Sequence, residues 1–458
     1  MVFSSILFLF RFIPMAFFIY YLVPKRYKNI TLLILSLIFY SWGEFRYFPI
    51  MLASIFIDYT ASNGIERCRQ QGKAVKPYLL YSVIFNLGML GFFKYAGFFA
   101  QNINTLTGLS VPILSLPLPL GISFYTFQTM SYTIDVYRGK VKAETNIIDF
   151  GAFVVLFPQL IAGPIVRYTD INRELKNRDI NFDQISSGIK TFILGLGSKV
   201  LIANNVGALW TEIEAKGFTD LSMPLAWLAI LAFSLQIYFD FSGYSMMAIG
   251  LGRMLGFEFP QNFNFPYISK SMTEFWRRWH MTLGSWFLEY LYIPLGGSRC
   301  GTFKNYFNLF VVWFATGLWH GASWNFVLWG LYFFVFLVME RVFLKEYLEK
   351  SRIVAHLYLI FFIIISWSIF AITDLSQLTV FIGRLFSFTA GADWVYYLRN
   401  YALTLVFGII CSTPVLKSFL HRLEDYPLAT PIIYGGAFVL SVSYLVDASY
   451  NPFLYFRF

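Results

Sequence analysis

Charged residues are scarce in this sequence. Asp, Glu, Lys and Arg make up 13% of its 458 residues, whereas hydrophobic residues make up 57%. A soluble domain carries roughly a quarter charged residues, and a chain of this length cannot hide so much apolar surface in a core. The composition therefore excludes a soluble globular protein. It predicts an all-α integral membrane protein with several spans, because a helix satisfies its own backbone hydrogen bonds inside lipid.

Cysteine is also scarce, and the common catalytic motifs are absent. The three cysteines, Cys68, Cys300 and Cys411, are too widely separated for a disulfide framework or a thiolate metal cluster. The sequence has no metal ligands at HExxH or CxxC spacing, no P-loop and no GxSxG motif. We therefore expect no metal site and no bound cofactor. Transfer chemistry based on histidine is the one enzymatic interpretation with local support.

The formal charge of +10 comes largely from basic clusters between apolar stretches. Nucleic-acid binding would explain such an excess, but in a membrane protein the positive-inside rule is the simpler and favoured explanation, and we expect no nucleic-acid partner. Four clusters assigned to the cytoplasm predict an outward N-terminus: Lys25, Arg26 and Lys28; Arg67, Arg69, Lys73 and Lys76; Arg138, Lys140 and Lys142; and Arg167, Arg173, Lys176 and Arg178. The apolar stretch 2–24 is too long for a cleaved signal peptide and predicts a first span.

Windows without charge recur along the chain, and each is long enough for a crossing of roughly 20 residues, or fewer where tilted or re-entrant. They are 12–24, 29–43, 77–93, 150–166, 221–239, 305–339, 353–373, 400–416 and 426–446, with 45–62 and 184–209 as further spans. Window 95–134 contains three prolines and predicts a helix end, an outer loop and a new helix starting at 118–121. Together they predict a polytopic bundle of about 10 to 13 transmembrane helices, with half-membrane and interfacial helices.

The charge-free run 305–339 is too long for one span. A single helix of this length would extend roughly 50 Å, whereas the hydrocarbon core of a bilayer is roughly 30 Å thick. We predict two helices joined by a turn near Trp319–Ala322, where Gly317 and Gly321 permit a break. The turn places His320 inside the protein and away from the cytoplasm.

Two of the four histidines follow aromatic, largely apolar sequence. His320 ends GLWH, and His280 ends FWRRWH. A buried histidine is often a hydrogen-bonded packing residue, yet an ionisable group at membrane depth is costly and generally faces a cavity or pathway. Neutral imidazole is also the usual general base at physiological pH. His356, near the start of a span, and His421, in a charged loop, are not candidates.

Segment 253–304 differs from the spans because cations alternate with aromatic residues and prolines. It has two interpretations, an interfacial belt with snorkelling side chains or a cationic seat for a phosphorylated ligand. The candidate phosphate contacts are Arg277, Arg278, Arg299 and Lys304. Asp240, an acid embedded in apolar sequence nearby, is interpreted as a structural partner of Arg253 or of a backbone amide rather than as catalytic.

Two stretches resemble the membrane-bound O-acyltransferase (MBOAT) superfamily: SMTEFWRRWHMTLGSWFLEYLYIPLGG and the following GLWHGASWNFVLWG. Five others resemble it too: FSSILFLFRFIPMAFFIYYLVP, PLGISFYTFQTMSYTIDVYRG, FPQLIAGPIVRY, QIYFDFSGYSMMAIGLGRMLGF and the ending NPFLYFRF. The resemblance implies the MBOAT fold in a single membrane domain, 1–458, with a motif core at about 236–330. The intact PLGGSR and WRRWH elements favour the bacterial branch of alginate and polysaccharide O-acetylation subunits over the D-alanylation branch.

By this resemblance His320 is the catalytic histidine and His280 is the second motif histidine. The resemblance implies an O-acyltransferase, specifically an O-acetyltransferase, of the bacterial cytoplasmic (inner) membrane. Its donor would be acetyl-CoA or another acyl thioester, and its acceptor the hydroxyls of an extracytoplasmic polysaccharide or cell-wall polymer. An SGNH-hydrolase-like extracytoplasmic protein is the implied partner. One departure is Leu288–Glu289, because the resemblance leads us to expect a basic–acidic pair before Tyr290.

Two other functions fit the same composition. A transporter or flippase for an acyl donor or a lipid-linked saccharide would carry out no covalent chemistry. Such proteins typically contain inverted repeats, and we find no convincing internal symmetry in the sequence. A scaffold that only recruits an external acetyltransferase would tolerate replacement of His320.

Overall fold

The computed structural model describes residues 2–114, 116–447, 451 and 454, and every regular element among them is a helix. The prediction of an all-α protein is therefore confirmed. The C-terminal stretch NPFLYFRF, which carries part of the family resemblance, lies outside the described residues except for Asn451 and Leu454.

The described residues form 21 α-helices. In chain order they are α1 Ile13–Leu22, α2 Lys28–Glu44, α3 Phe48–Gln70, α4 Lys76–Leu90, α5 Ala96–Thr107, α6 Ile122–Tyr137, α7 Ile147–Val155, α8 Tyr168–Lys176, α9 Phe182–Gly197, α10 Asn204–Lys216, α11 Met223–Met254, α12 Met272–Trp276, α13 Met281–Phe287, α14 Thr302–His320, α15 Trp324–Met339, α16 Lys345–Lys350, α17 Arg352–Ala371, α18 Leu375–Leu385, α19 Asp393–Cys411, α20 Val415–Leu423 and α21 Ala429–Asp447. Wider π-helical turns lie at Phe8–Phe12, Gly91–Tyr95, Ser198–Ala203, Leu288–Tyr292 and Glu340–Leu344, and 3₁₀ turns at Lys25–Tyr27, Phe45–Tyr47 and Pro266–Ile268.

Several of these helices are long and apolar enough to cross a membrane. Within the described residues there are 7 such stretches, namely Lys76–Thr107, Phe182–Lys216, Met223–Met254, Trp324–Lys350, Arg352–Ala371, Asp393–Cys411 and Ala429–Asp447. They make the chain a multi-pass membrane protein, as the sequence predicts. A shorter apolar helix, Phe8–Leu22, matches the predicted first span. The total of about 10 to 13 crossings stays a prediction.

The prediction of a span at 150–166 is wrong. Helix α7 ends at Val155, and residues 156–166 form turns that are buried throughout. Pro158 cannot donate a helical hydrogen bond. Gly163 lies so close to the preceding turn that a Cβ would be 2.7 Å from Gln159 Cα. This window lacks charge because it is buried in protein, not because it faces lipid.

The proline-containing window 95–134 folds as predicted. Helix α5 ends before Gly108, whose φ of +70° is left-handed, and the described residues of 109–119 form no regular structure. Helix α6 begins after Gly121, which has a φ of +73°. A Cβ there would lie 2.6 Å from the carbonyl oxygen of Leu160, so only glycine fits this start.

The chain divides into two compact units, Met1–Phe192 with Met247–Pro260, and Ile193–Met246 with Gln261–Phe458. The first unit encloses a buried polar centre. In it, Asp58 of α3 accepts hydrogen bonds from Ser82 and Asn86 of α4 and from Thr133 of α6. The second unit contains both candidate histidines. The prediction of one membrane domain over 1–458 stays a prediction.

Candidate active site

Helices α14 and α15 form a hairpin in the second unit. Helix α14 ends at His320, residues 321–323 make the turn, and α15 begins at Trp324. At the open end of the hairpin, Arg341 donates to Asn305 Oδ1 over 3.3 Å. Both ends of the charge-free run therefore lie side by side, and the predicted hairpin with its turn near Trp319–Ala322 is confirmed.

Glycine is required along this hairpin for close packing. A Cβ on Gly317 would overlap the carbonyl oxygen of Phe326, and a Cβ on Gly330 would overlap that of Trp313. A Cβ on Gly321 would overlap the Phe326 ring. None of the three glycines has a positive φ. Gly317 thus lets the two helices approach each other. The helix ends at Gly321, as predicted, but its extended φ of −167° is open to any residue, so this glycine is required by the Phe326 ring and not by the backbone conformation of the break.

His320 is buried among aromatic side chains and is only 6% exposed. Its imidazole centroid lies 4.9 Å from that of Trp329, 5.3 Å from Phe370 and 5.0 Å from Trp319, all in edge-on contacts. The side chain is therefore inside the protein, as predicted, and packs against three aromatic rings.

His280 lies in the turn between α12 and α13 and is 1% exposed. Its backbone has φ +44° and ψ +52°, a left-handed conformation that costs a non-glycine residue roughly 1–3 kcal/mol and is common at functional sites. The imidazole contacts Phe241, with ring centroids 4.7 Å apart, and Trp319, at 5.8 Å. Trp319 therefore contacts the imidazoles of both His280 and His320, and the two histidines share one site.

A hydrogen bond fixes the tautomer of His280. Its Nδ1 lies 3.0 Å from Asn262 Oδ1, and the same oxygen accepts from the backbone N–H of Thr282 at 3.3 Å and from its hydroxyl at 2.9 Å. Because a backbone N–H can only donate, Oδ1 is the acceptor, and Nδ1 of His280 carries the proton. Asn262 Nδ2 in turn donates to Ser245 Oγ over 3.1 Å.

The ring of His280 is also kept neutral. This residue lies outside the long apolar helices, in a buried turn, and burial lowers its pKa to about 3. At physiological pH the side chain is therefore an uncharged imidazole with the proton on Nδ1. Its Nε2 is the basic nitrogen, which accepts hydrogen bonds or protons.

Glu340, which is 4% exposed, ties the segment before this turn to the hairpin. Its carboxylate accepts from the backbone N–H groups of Met272, at 2.5 Å, and Thr273, at 3.1 Å, which are first-turn donors of α12 without helical partners. Helix α12 then packs Trp276 against Trp313, with centroids 4.8 Å apart. The position of the second histidine thus depends on an acid that directly follows the apolar run of α15.

The four candidate phosphate contacts lie in two separate segments of the chain, 277–278 and 299–304. Arg277 is exposed, and Arg278 is half-buried in an ion pair with Glu274 at 2.9 Å; Trp279 separates them from His280. Arg299 and Lys304 are exposed and lie near the open end of the α14–α15 hairpin. Phosphate binding by these residues stays a prediction.

The contacts of Asp240 indicate a structural role. It forms a buried ion pair with Lys199 at 2.5 Å and accepts from the backbone N–H of Leu454 at 2.8 Å. The predicted partner Arg253 is wrong, because Arg253 instead bonds to Glu258 at 3.2 Å. The alternative partner, a backbone amide, is confirmed.

The remaining histidines have other surroundings. His356 Nδ1 lies 3.1 Å from the carbonyl oxygen of Ser269, and His421 is exposed beside Glu424 at 3.1 Å. Across the part of the chain that the structure describes, no three His, Cys, Asp or Glu side chains are grouped closely enough to hold a metal ion.

The segment that carries both histidines is similar to a known family of sequences. Residues 140–381, which include both histidine motifs, match the sequence profile of the membrane-bound O-acyltransferase family. The chain belongs to this family. It is therefore a membrane O-acyltransferase, as the two motifs imply.

Relatives within this O-acyltransferase family define the branch. A probable alginate O-acetylase of Pseudomonas putida is 38% identical over an alignment 490 positions long, which covers 100% of both chains. The peptidoglycan O-acetyltransferase of Helicobacter pylori is 36% identical over 82% of this chain and 78% of that protein. A teichoic acid D-alanyltransferase of Streptococcus thermophilus is 30% identical over only 51% of this chain and 60% of that protein. The predicted O-acetylation branch is confirmed.

Proposed function

We propose that this protein transfers an acetyl group from a cytoplasmic thioester donor towards hydroxyls of an extracytoplasmic polysaccharide, in the bacterial inner membrane. The observation that carries the proposal is the contact of His280 and His320 with the single indole of Trp319. The names of the relatives, an alginate O-acetylase and a peptidoglycan O-acetyltransferase, support a saccharide polymer as the acceptor class.

His320 is the general base in this mechanism. Its imidazole takes the proton of an acceptor hydroxyl while the oxygen attacks the thioester carbonyl carbon. The new C–O bond forms, the C–S bond breaks, and the proton passes to the departing thiolate, so that the imidazole returns to its neutral form. The aromatic surroundings of Trp329 and Phe370 limit the access of water, which favours transfer over hydrolysis.

His280 orients a reactant. The Nδ1–H group of His280 donates a hydrogen bond to Asn262, so the neutral ring presents Nε2 as an acceptor. This favours an orienting contact with an N–H or O–H of a bound substrate over donation to the developing oxyanion. The sequence alone leaves both roles open for this histidine.

The donor is acetyl-CoA or another acyl thioester. Arginine forks match the geometry of phosphate, and the cations at 277–278 and 299–304 support a donor that carries phosphate. The acceptor polymer is extracytoplasmic, and an SGNH-hydrolase-like protein is the partner that we expect to complete the transfer on that side.

The test is to supply radiolabelled acetyl-CoA to the purified protein in nanodiscs, together with the polymer and its partner protein. We expect label in the polymer and release of one free thiol for each acetyl group transferred. If intact donor crossed the membrane of proteoliposomes without release of thiol, the result would support a transporter and contradict the proposal.

A further inference from the structure

A groove with basic walls lies beside the segment that carries His280. Asn264, Phe265 and Arg278 line one wall, and Pro414, Lys417 and His421, from the start and the polar face of α20, line the other. The groove encloses about 520 Å³. All of these residues belong to the second unit.

The positive charge of the groove favours the binding of an anion. Arg278 is held in place by Glu274 at 2.9 Å and by the carbonyl oxygen of Asn264 at 3.2 Å. His421 has Glu424 as its neighbour, whereas Lys417 is exposed and forms no ion pair with any other described residue. A fixed guanidinium facing an uncompensated ammonium across a concave surface is a favourable arrangement for phosphate oxygens.

The backbone joins this groove to the candidate active site. Asn264 N donates to Arg278 O, and Met281 N donates to Asn262 O, both over 2.9 Å. Segments 262–264 and 278–281 therefore run side by side. This pair of segments carries Arg278 at the groove and the hydrogen-bonded His280 in the protein interior, so the groove and the imidazole are held by the same two backbone segments.

We propose that this groove binds the phosphate groups of the acyl donor, with Lys417 and His421 of α20 acting together with Arg278. The inference deepens the proposed function and rests on it. A thioester at the end of a long, flexible, phosphorylated carrier can keep its phosphate in the groove while the acyl group reaches the two histidines. Neither Lys417 nor His421 is a candidate by sequence, because they lie far along the chain from both motifs.

An anionic lipid headgroup presents the same phosphate chemistry. Helix α20 exposes Val415 by 60% and Phe419 by 55%, as interfacial helices do. The experiment must therefore separate a soluble donor from a lipid.

The test measures CoA binding to the full chain in nanodiscs made with and without phosphatidylglycerol. The variants are Lys417→Gln, alone and with His421→Gln, and the matched control is Arg422→Gln, a basic residue of the same helix that does not line the groove. In phosphatidylcholine discs, Lys417→Gln should raise the Kd for CoA about fivefold or more, and the control should change it less than about twofold. The difference should shrink as NaCl is added, because salt screens exposed charges.

Equal CoA affinity of wild type and both groove variants would overturn the inference, as would a wild type that binds no CoA. Loss of phosphatidylglycerol retention in the Lys417→Gln variant, with unchanged CoA affinity, would assign the groove to lipid and also overturn it. Failure of the proposed function is distinguishable: wild type would bind CoA through Lys417 but release no thiol from acetyl-CoA.

Discussion

The hydrogen bond between His280 and Asn262 decides which imidazole nitrogen is basic, and Asn262 is therefore a positioning residue. Replacing Asn262 by Asp keeps an acceptor at Nδ1 and adds a negative charge. That charge favours the imidazolium, so the pKa of His280 rises from its value of about 3. As the pH is lowered, the imidazole of the variant therefore becomes protonated at a higher pH than that of the wild type. The acid limb of the kcat–pH profile should move to higher pH in Asn262→Asp.

The Asn262→Ala variant is the comparison for this experiment. It removes the acceptor without adding charge, so kcat should fall at every pH while the limb of the profile keeps its position. If Asn262→Asp gave a wild-type profile of reduced height only, Asn262 would have a structural role and would not set the protonation of His280.

Individual residues of the candidate site were predictable from the sequence only where their residue type is unusual among its neighbours. His280 and His320 stand out because an ionisable side chain is rare in such apolar sequence. Asn262 and Glu340 do not stand out, because their roles depend on contacts with His280 and with Met272 that form only when distant segments fold together.

At the scale of elements, the α14–α15 hairpin depends on the absence of side chains at its glycines. In Gly330→Ala the new Cβ would overlap the carbonyl oxygen of Trp313, so the helices must separate, at a typical overpacking cost of about 1–3 kcal/mol. We expect a lower Tm in detergent and reduced transfer, because α15 carries Trp329 against His320. Thermal unfolding followed by size-exclusion chromatography measures the first effect.

Gly436→Ala is the matched control, since Gly436 is also helical but has nothing within 4 Å of an added Cβ. Its Tm should stay the same or rise slightly, because alanine favours the helix. An equal Tm for the two variants would show that close packing of α14 and α15 is not what Gly330 provides.

The sequence predicted this hairpin but not the fold of residues 150–166. The length of the run at 305–339 is a geometric constraint, since one helix of that length does not fit a bilayer. Hydropathy gives no such constraint at 150–166, because it is equally high for a segment buried in protein and for one that faces lipid.

For the whole molecule, the basic clusters predict the topology. In a background with Cys68, Cys300 and Cys411 replaced by Ser, single cysteines at Lys73 and Lys140 should react with a membrane-impermeant maleimide only after the cells are permeabilised. A cysteine at Leu109, which is 59% exposed in the predicted outer loop, should react in intact cells. Labelling of the Lys73 position from outside would overturn the topology and with it the cytoplasmic donor.

The general-base role of His320 is the central claim, and acetylation of the polymer by the His320→Ala variant in cells tests it most directly. Loss of a general base typically slows a reaction about 10²- to 10⁴-fold, so at equal membrane expression polymer acetylation should fall to background. His356→Ala, whose side chain contacts only the carbonyl oxygen of Ser269 among its described hydrogen bonds, should acetylate the polymer like wild type. Near-normal acetylation by His320→Ala would contradict the account and leave this histidine with a packing role.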